Sequence, residues 1–326
     1  MAGALVRGSA GRVLLLAVAV SLAYLLAACA LDPRAELEAR HPPPPPSVIR
    51  ARLHELGADD RTPLLTRYLT WASGVARGDF GMTLDGTPAI AEMRRRLGVS
   101  LRLLLAGVLL GNALGAGLGL IGASGRHVVA GRLITVGTFT VLAVPVVVLA
   151  VAAQITAQWV DSRAGTRLFA WTGEYTPGEP GGPLHRLAER GRHLVLPTLT
   201  IALGQAAIIS RYLRGSLRDT AGAAFVRAAV AKGLTRRRAL IRHALRVAVV
   251  PVVPLSAYGS ASLLGGAACT EKVFAWHGMG EWLIDSIHRG DVNAVAAYCC
   301  FAAALMMYAG LLSDLAVAVL DPRARG

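Results

Sequence analysis

The sequence predicts an all-α protein that crosses a membrane six times. Hydrophobic residues make up 54% of its 326 residues. They are gathered in blocks of roughly 20, the length a helix needs to cross ~30 Å of hydrocarbon at 1.5 Å per residue. Basic residues collect between alternate blocks, as they do in cytoplasmic loops. The long connection after the first block carries nearly balanced charge, which suits the external side.

The formal charge of +14 does not point to nucleic acid, because the arginines lie beside the apolar blocks rather than on a soluble domain. Only Lys232 and Lys272 are lysines among the 34 basic residues. Cys29, Cys269, Cys299 and Cys300 show no metal-binding or CxxC spacing. The chain has no P-loop pattern, no HExxH and no GxSxG. It is therefore expected to hold no catalytic residue, metal or cofactor of its own, and no P-loop ATP site.

The first span lies within residues 1–31, with Arg7 and Arg12 before the apolar run from Val13 to Leu31. Leu26-Ala27-Ala28-Cys29 also fits a lipoprotein cleavage site, but a retained span is favoured because every later feature is a membrane feature. Residues 32–96 form a mixed-charge external segment. Pro42 to Pro46 are a stiff spacer, Ser47 to Gly57 have helical spacing, and Gly78 and Gly81 suit turns around Asp79. The core occupies 97–320, with spans at about 103–123, 133–153, 194–210, 247–268 and 294–320. In the second span Gly107, Gly111, Gly115 and Gly119 recur every four residues, a groove for close helix packing. A basic turn follows at residues 125–127, with Arg132 just beyond, and Pro145 is expected to kink the third span. Trp159 to His193 reads as an exposed loop, Pro251 and Pro254 lead into the fifth span, and Glu271 to Asp291 is external. Asp314 in the sixth span either pairs with an arginine near the interface or couples protons. Six spans put both termini in the cytoplasm.

The most basic stretch, residues 219–246, lies between the fourth and fifth spans. Phe225 to Ala231 can form a compact helix. Lys232-Gly233 ends it, with Gly233 free to take a positive φ, and Thr235 can cap a second helix from Arg236 to Arg246. Such a pair is either a docking knob below the membrane or a solvated loop that only sets topology. His243 here reads as structural.

The run from Phe225 to Pro251 resembles the cytoplasmic loop of permease subunits in binding-protein-dependent ABC importers, and is similar to their dipeptide, oligopeptide and nickel branch. The family pattern is E-A-A, three residues, G, nine residues, I-x-L-P. Here Arg227-Ala228-Ala229 takes the first place, Lys232-Gly233-Leu234 holds the glycine, and His243-Ala244-Leu245-Arg246 takes the last. The peptide branch has R-T-A-R-A-K-G-L and H-x-L-R, from which Ala228 and Val230 depart. Arg67 to Trp71, Arg77 to Leu84, Glu271 to Ile287 (with His277 in place of proline) and Leu311 to Arg323 also resemble that branch. The likeness covers nearly the whole chain and is greatest to oligopeptide permease subunits of actinobacteria.

The resemblance implies a type I ABC importer permease fold in the plasma (inner) membrane, with cytoplasmic coupling helices. The implied partners are a second permease subunit, two ATPase domains that hold the ATP, an extracytoplasmic substrate-binding protein and a peptide substrate. Arg227, Ala228, Ala229, Lys232, Gly233, Leu234, His243 and Leu245 would form the ATPase-coupling loop. Import of nickel or another small solute is the alternative within the family, and a proton-coupled carrier using Asp314 is the alternative outside it.

Overall fold

The computed structural model describes residues 2–123, 128–178 and 182–320. The basic turn expected at 125–127 and the C-terminal residues from 321 on lie outside the described residues, as do 179–181 of the expected Thr176–Pro183 loop. The described chain is helical throughout: α1 Ala2–Ala30, α2 Pro33–Glu38, α3 Pro46–Glu55, α4 Leu64–Val75, α5 Ala89–Ala123, α6 Val128–Ala143, α7 Val146–Ala164, α8 Pro183–Ala221, α9 Ala224–Ala231, α10 Arg236–Ala239, α11 Leu245–Ala248, α12 Val252–Val273, α13 Met279–His288 and α14 Val292–Leu320. A π turn, Leu240–Ala244, joins α10 to α11. Among the described residues, four helices are long and apolar enough to cross a membrane, and six spans result if each of two bent helix pairs counts as one.

The chain divides into two compact units. One comprises Met1–Ser100 and His277–Met307. In it α1 packs on α4, with Tyr24 stacked on Trp71 at 4.3 Å between ring centroids. The residues expected to be external contain α2, α3 and α4, of which α3 covers most of the stretch expected to be helical, and together they bury Leu37, Ile49, Leu53 and Trp71. Gly78 and Gly81 both take positive φ, and the Asp79 carboxylate accepts the Gly81 amide at 2.9 Å. Asp291 caps α14 by accepting the Ala294 amide at 3.0 Å and also accepts the Leu84 amide at 2.7 Å. Asn293 donates to the carbonyls of Leu56 and Met82, both at 2.9 Å.

The second unit is Leu101–Trp276 with Tyr308–Gly326. Its centre is α8, which packs against α6, α7, α11 and α12. It runs well beyond the apolar stretch 194–210 in both directions. Hydropathy marks only the apolar middle, whereas arginine and glutamate are good helix formers and carry the helix on into polar surroundings.

The glycines of α5 meet α8 in order. An added Cβ would lie 2.6 Å from Ile201 Cγ2 at Gly107, 2.7 Å from Gln205 Cβ at Gly111, 2.8 Å from Ile209 Cβ at Gly115 and 3.2 Å from Leu213 Cβ at Gly119. The partners step by four along α8 in the same sense as the glycines, so the two helices run parallel. Next to the groove, Gln205 Nε2 donates to Asn112 Oδ1 at 3.0 Å and Asn112 Nδ2 donates to Ser256 Oγ at 2.7 Å. This chain of amides ties α8, α5 and α12 together by side-chain hydrogen bonds.

Pro145 does more than kink a span. It sits between α6 and α7 with φ −56° and ψ 141°, and the two helices meet at a bend of 108°. Proline has no N–H to give and disfavours helical backbone in the residue before it, so the ladder stops at Ala143 and restarts after the ring. The break at Pro251 is milder, with a bend of 55° between Arg236–Ala248 and Val252–Ala261.

The glycine contact predicts opposite effects from one substitution at two places on α5. Gly117→Ala meets nothing within 4 Å and should hold or raise the thermal midpoint of the detergent-purified protein, since alanine is favoured over glycine in a helix by up to ~1 kcal/mol. Gly111→Ala should lower it, by the equivalent of about 1–3 kcal/mol of overpacking. Equal midpoints for the two variants would contradict tight α5–α8 packing.

Candidate coupling segment

The residues from Ala223 to Val249 make a compact cap on the end of α8. Ala223 supplies the extended N-cap of α9. Small residues face inward: Val226, Ala229, Ala239, Ala244 and Ala248 are buried in one cluster with Ile209, Leu213 and Leu217 of α8 and Val252 of α12. Alanine at these positions lets backbone lie close to backbone, so the segment is held by packing and not only by its two covalent ends.

The corner between α9 and α10 is a complete Schellman motif. The Gly233 amide donates to the Val230 carbonyl at 2.9 Å, and the Leu234 amide donates to the Ala229 carbonyl at 3.2 Å. Gly233 has φ 94°, where any side chain is strained. An added Cβ would meet nothing within 4 Å, so backbone conformation and not space makes glycine the fitting residue. Leu234 folds back onto the buried cluster, which is the apolar contact that accompanies this motif. Thr235 caps α10, its hydroxyl oxygen accepting the Arg238 amide at 3.4 Å.

The second helix expected from Arg236 to Arg246 is present but not regular. Four residues of α-helix give way to the π turn Leu240–Ala244 before α11 resumes. A π turn inserts one residue into the helical repeat. It keeps Ala239, Ala244 and Ala248 all buried, although the step from 239 to 244 is too long for one face of an unbroken α-helix. Spacing arguments based on 3.6 residues per turn do not anticipate this. The step of five between two alanines was the only sequence sign of it.

The outward face is cationic with a few apolar points. Arg227, Ala228, Lys232 and Gly233 are exposed, as are Arg236, Arg237, Arg238 and Arg242. Phe225, Val230 and Ile241 stand out among them at 46%, 42% and 49% exposure. Of the other residues singled out in the sequence, Ala229 is buried, Leu234 and Leu245 are half-buried and pack the segment onto its support, and His243 is half-buried. The eight residues are therefore on one small body but not on one surface. Among the described residues no group of His, Cys, Asp and Glu could hold a metal ion, and Asp314 lies exposed on α14.

Comparison with known proteins bears on this geometry. Residues 111–326 match the family described as the binding-protein-dependent transport system inner membrane component. The chain is 47% identical over 311 residues, 95% of each sequence, to the oligopeptide transport system permease protein OppB of Mycobacterium tuberculosis. It is 30% identical over 295 residues, 84% of each sequence, to the dipeptide transport system permease protein DppB of Escherichia coli K12. The fold is similar to that of a chain in an inward-facing structure of the MetNI methionine ABC transporter, with a TM-score of 0.54 at 16% identity, over 70% of this chain and 96% of that one. The chain therefore belongs to the family of inner membrane components of binding-protein-dependent transport systems.

Proposed function

We propose that this chain is a permease subunit of an ABC importer for oligopeptides, and that α9 to α11 form the surface through which separate ATPase subunits drive it. The observation that carries the reading is the segment itself: a cationic, apolar-studded knob, closed by a Schellman turn and packed onto the central helix. The named relatives support the peptide class, since identity to OppB extends over 95% of both chains. A second permease subunit would complete the pathway, and an extracytoplasmic binding protein would deliver the peptide.

The geometry suits a lever. A push on the exposed face of α9 reaches Leu213 and Leu217 of α8 through Val226 and Ala229 without passing through a flexible linker. From α8 it reaches α5 through the glycine contacts and α12 through Gln205, Asn112 and Ser256. Phe225, Val230 and Ile241 provide apolar anchors for a docking cleft. The surrounding arginines would steer the knob towards an acidic partner and fix its register.

Parallel α5 and α8 need an odd number of crossings between them, which supports counting the bent α6–α7 pair as one span. Beyond the Pro251 break, α12 with its 22 residues supplies the fifth span and α14 the sixth. With the basic segment on the inner side, both termini fall in the cytoplasm of a cell bounded by this inner membrane.

Gly233→Arg should abolish peptide uptake while the chain still inserts and reaches normal membrane levels, because it strains the corner and crowds the docking face. Gly222→Ala, at φ −85° with open space around it, should transport normally. Normal uptake by Gly233→Arg would sink the coupling assignment. Substrate class is tested separately in a deletion strain: oligopeptide uptake should fall and return on complementation, whereas loss of nickel uptake alone would favour the metal-importing branch.

A further inference from the structure

A cleft of about 480 Å³ opens between the end of α5, the start of α6 and the last turns of α8, lined by Gly122, Val128, Gly131, Arg132, Thr135, Val136, Arg214 and Arg218. Three arginines line it and no acid does. Among the described residues none of the three forms an ion pair.

The cleft has a built cationic centre. Arg214 Nη1 donates to the Gly131 carbonyl at 3.1 Å and to the Thr135 hydroxyl. Its Nε is buried and has no hydrogen-bond partner. Two glycines make room for it: an added Cβ would lie 3.1 Å from Arg214 Cδ at Gly122 and 3.4 Å from its Nη2 at Gly131. Arg132 and Arg218 complete the rim. A partly buried guanidinium with no acid beside it is costly, and an anion seated in the cleft would offset its charge.

The surroundings indicate which anion. Beside the arginines, α6 presents an exposed apolar stripe, Val128 and Val129 before Arg132 and Leu133 and Val136 after it, each at least 64% exposed. The cleft therefore offers cationic donors alongside bare hydrocarbon. It lies at the end of α8 that leads into the basic segment, the level of the lipid headgroups when the apolar stretch of α8 spans the bilayer. A phospholipid has this two-part chemistry, and a free anion or an acidic peptide does not. We propose that this cleft is a binding site for one anionic phospholipid, its phosphate held by Arg214, Arg218 and Arg132 and its acyl chains laid along α6.

Native mass spectrometry of the detergent-purified full chain tests this with phosphatidylglycerol, phosphatidylcholine and inorganic phosphate as probes. The wild type should retain one phosphatidylglycerol under activation that strips phosphatidylcholine, and inorganic phosphate should not displace it. Arg132→Gln with Arg218→Gln should weaken phosphatidylglycerol retention about fivefold per arginine. Arg236→Gln with Arg237→Gln, which removes equal charge from the neighbouring segment, should leave it unchanged. If the first double variant melts early, Arg218→Gln alone carries the test, because Arg218 is exposed and forms no hydrogen bond or ion pair among the described residues. Unchanged retention without Arg132 and Arg218, equal loss in the Arg236 and Arg237 variant, or equal retention of phosphatidylcholine would overturn the proposal. Displacement by phosphate would show a free-anion site, and loss of the lipid on assembly with a second permease would show a subunit interface.

Discussion

The close approach of α5 to α8 is the constraint on which the Leu101–Trp276 unit depends. A helix in hydrocarbon gains little from hiding apolar side chains, since the lipid is as apolar as its neighbours. What remains is contact, and contact is greatest where backbones nearly touch. Four glycines in step remove the side chains that would hold α5 away, and Ile201, Gln205, Ile209 and Leu213 fill the groove they leave. With α5 fixed, Asn112 stands where it reaches both Gln205 and Ser256, and α12 is drawn into the same assembly.

This arrangement gives α8 two jobs that favour a single long helix. Its middle is the spine of the membrane unit. Its last turns, through Leu213 and Leu217, are the floor on which α9 to α11 rest. A displacement of the floor is then a displacement of the spine, because no loop lies between them. The same last turns carry Arg214 and Arg218, so the spine also meets the cleft proposed to hold a lipid. The peptide-transport reading needs a stiff link from a cytoplasmic surface to the membrane helices, and α8 supplies one.

Much of this was legible in the sequence because it rests on local chemistry. Spacing by four exposed the glycine groove, and Lys232-Gly233 followed by Thr235 marked a helix stop and a helix start. The depth of the break at Pro145 was not legible: proline forbids a continuous helix, but the packing around it sets the angle. The ends of α8 were missed because a hydropathy window sees solvent preference and not helical continuity. The π turn at Leu240–Ala244 was missed because it is a tertiary compromise, keeping Ala239 and Ala244 on one buried face. The cleft around Arg214 was missed for a similar reason, since its three arginines come from two helices, α6 and α8, that lie far apart in the sequence.

The central claim is that the outward face of α9 is the surface an ATPase subunit touches. Photo-cross-linking in the working transporter tests it most directly, with p-benzoylphenylalanine placed at Ala228 and, as a control at the other end of α8, at Leu184, which is 81% exposed. The account predicts a cross-link from position 228 to a nucleotide-binding subunit, changing in yield when ATP is bound, and none from position 184. A complex that imports peptide but gives no ATPase adduct from position 228, or gives one from position 184 instead, would contradict it.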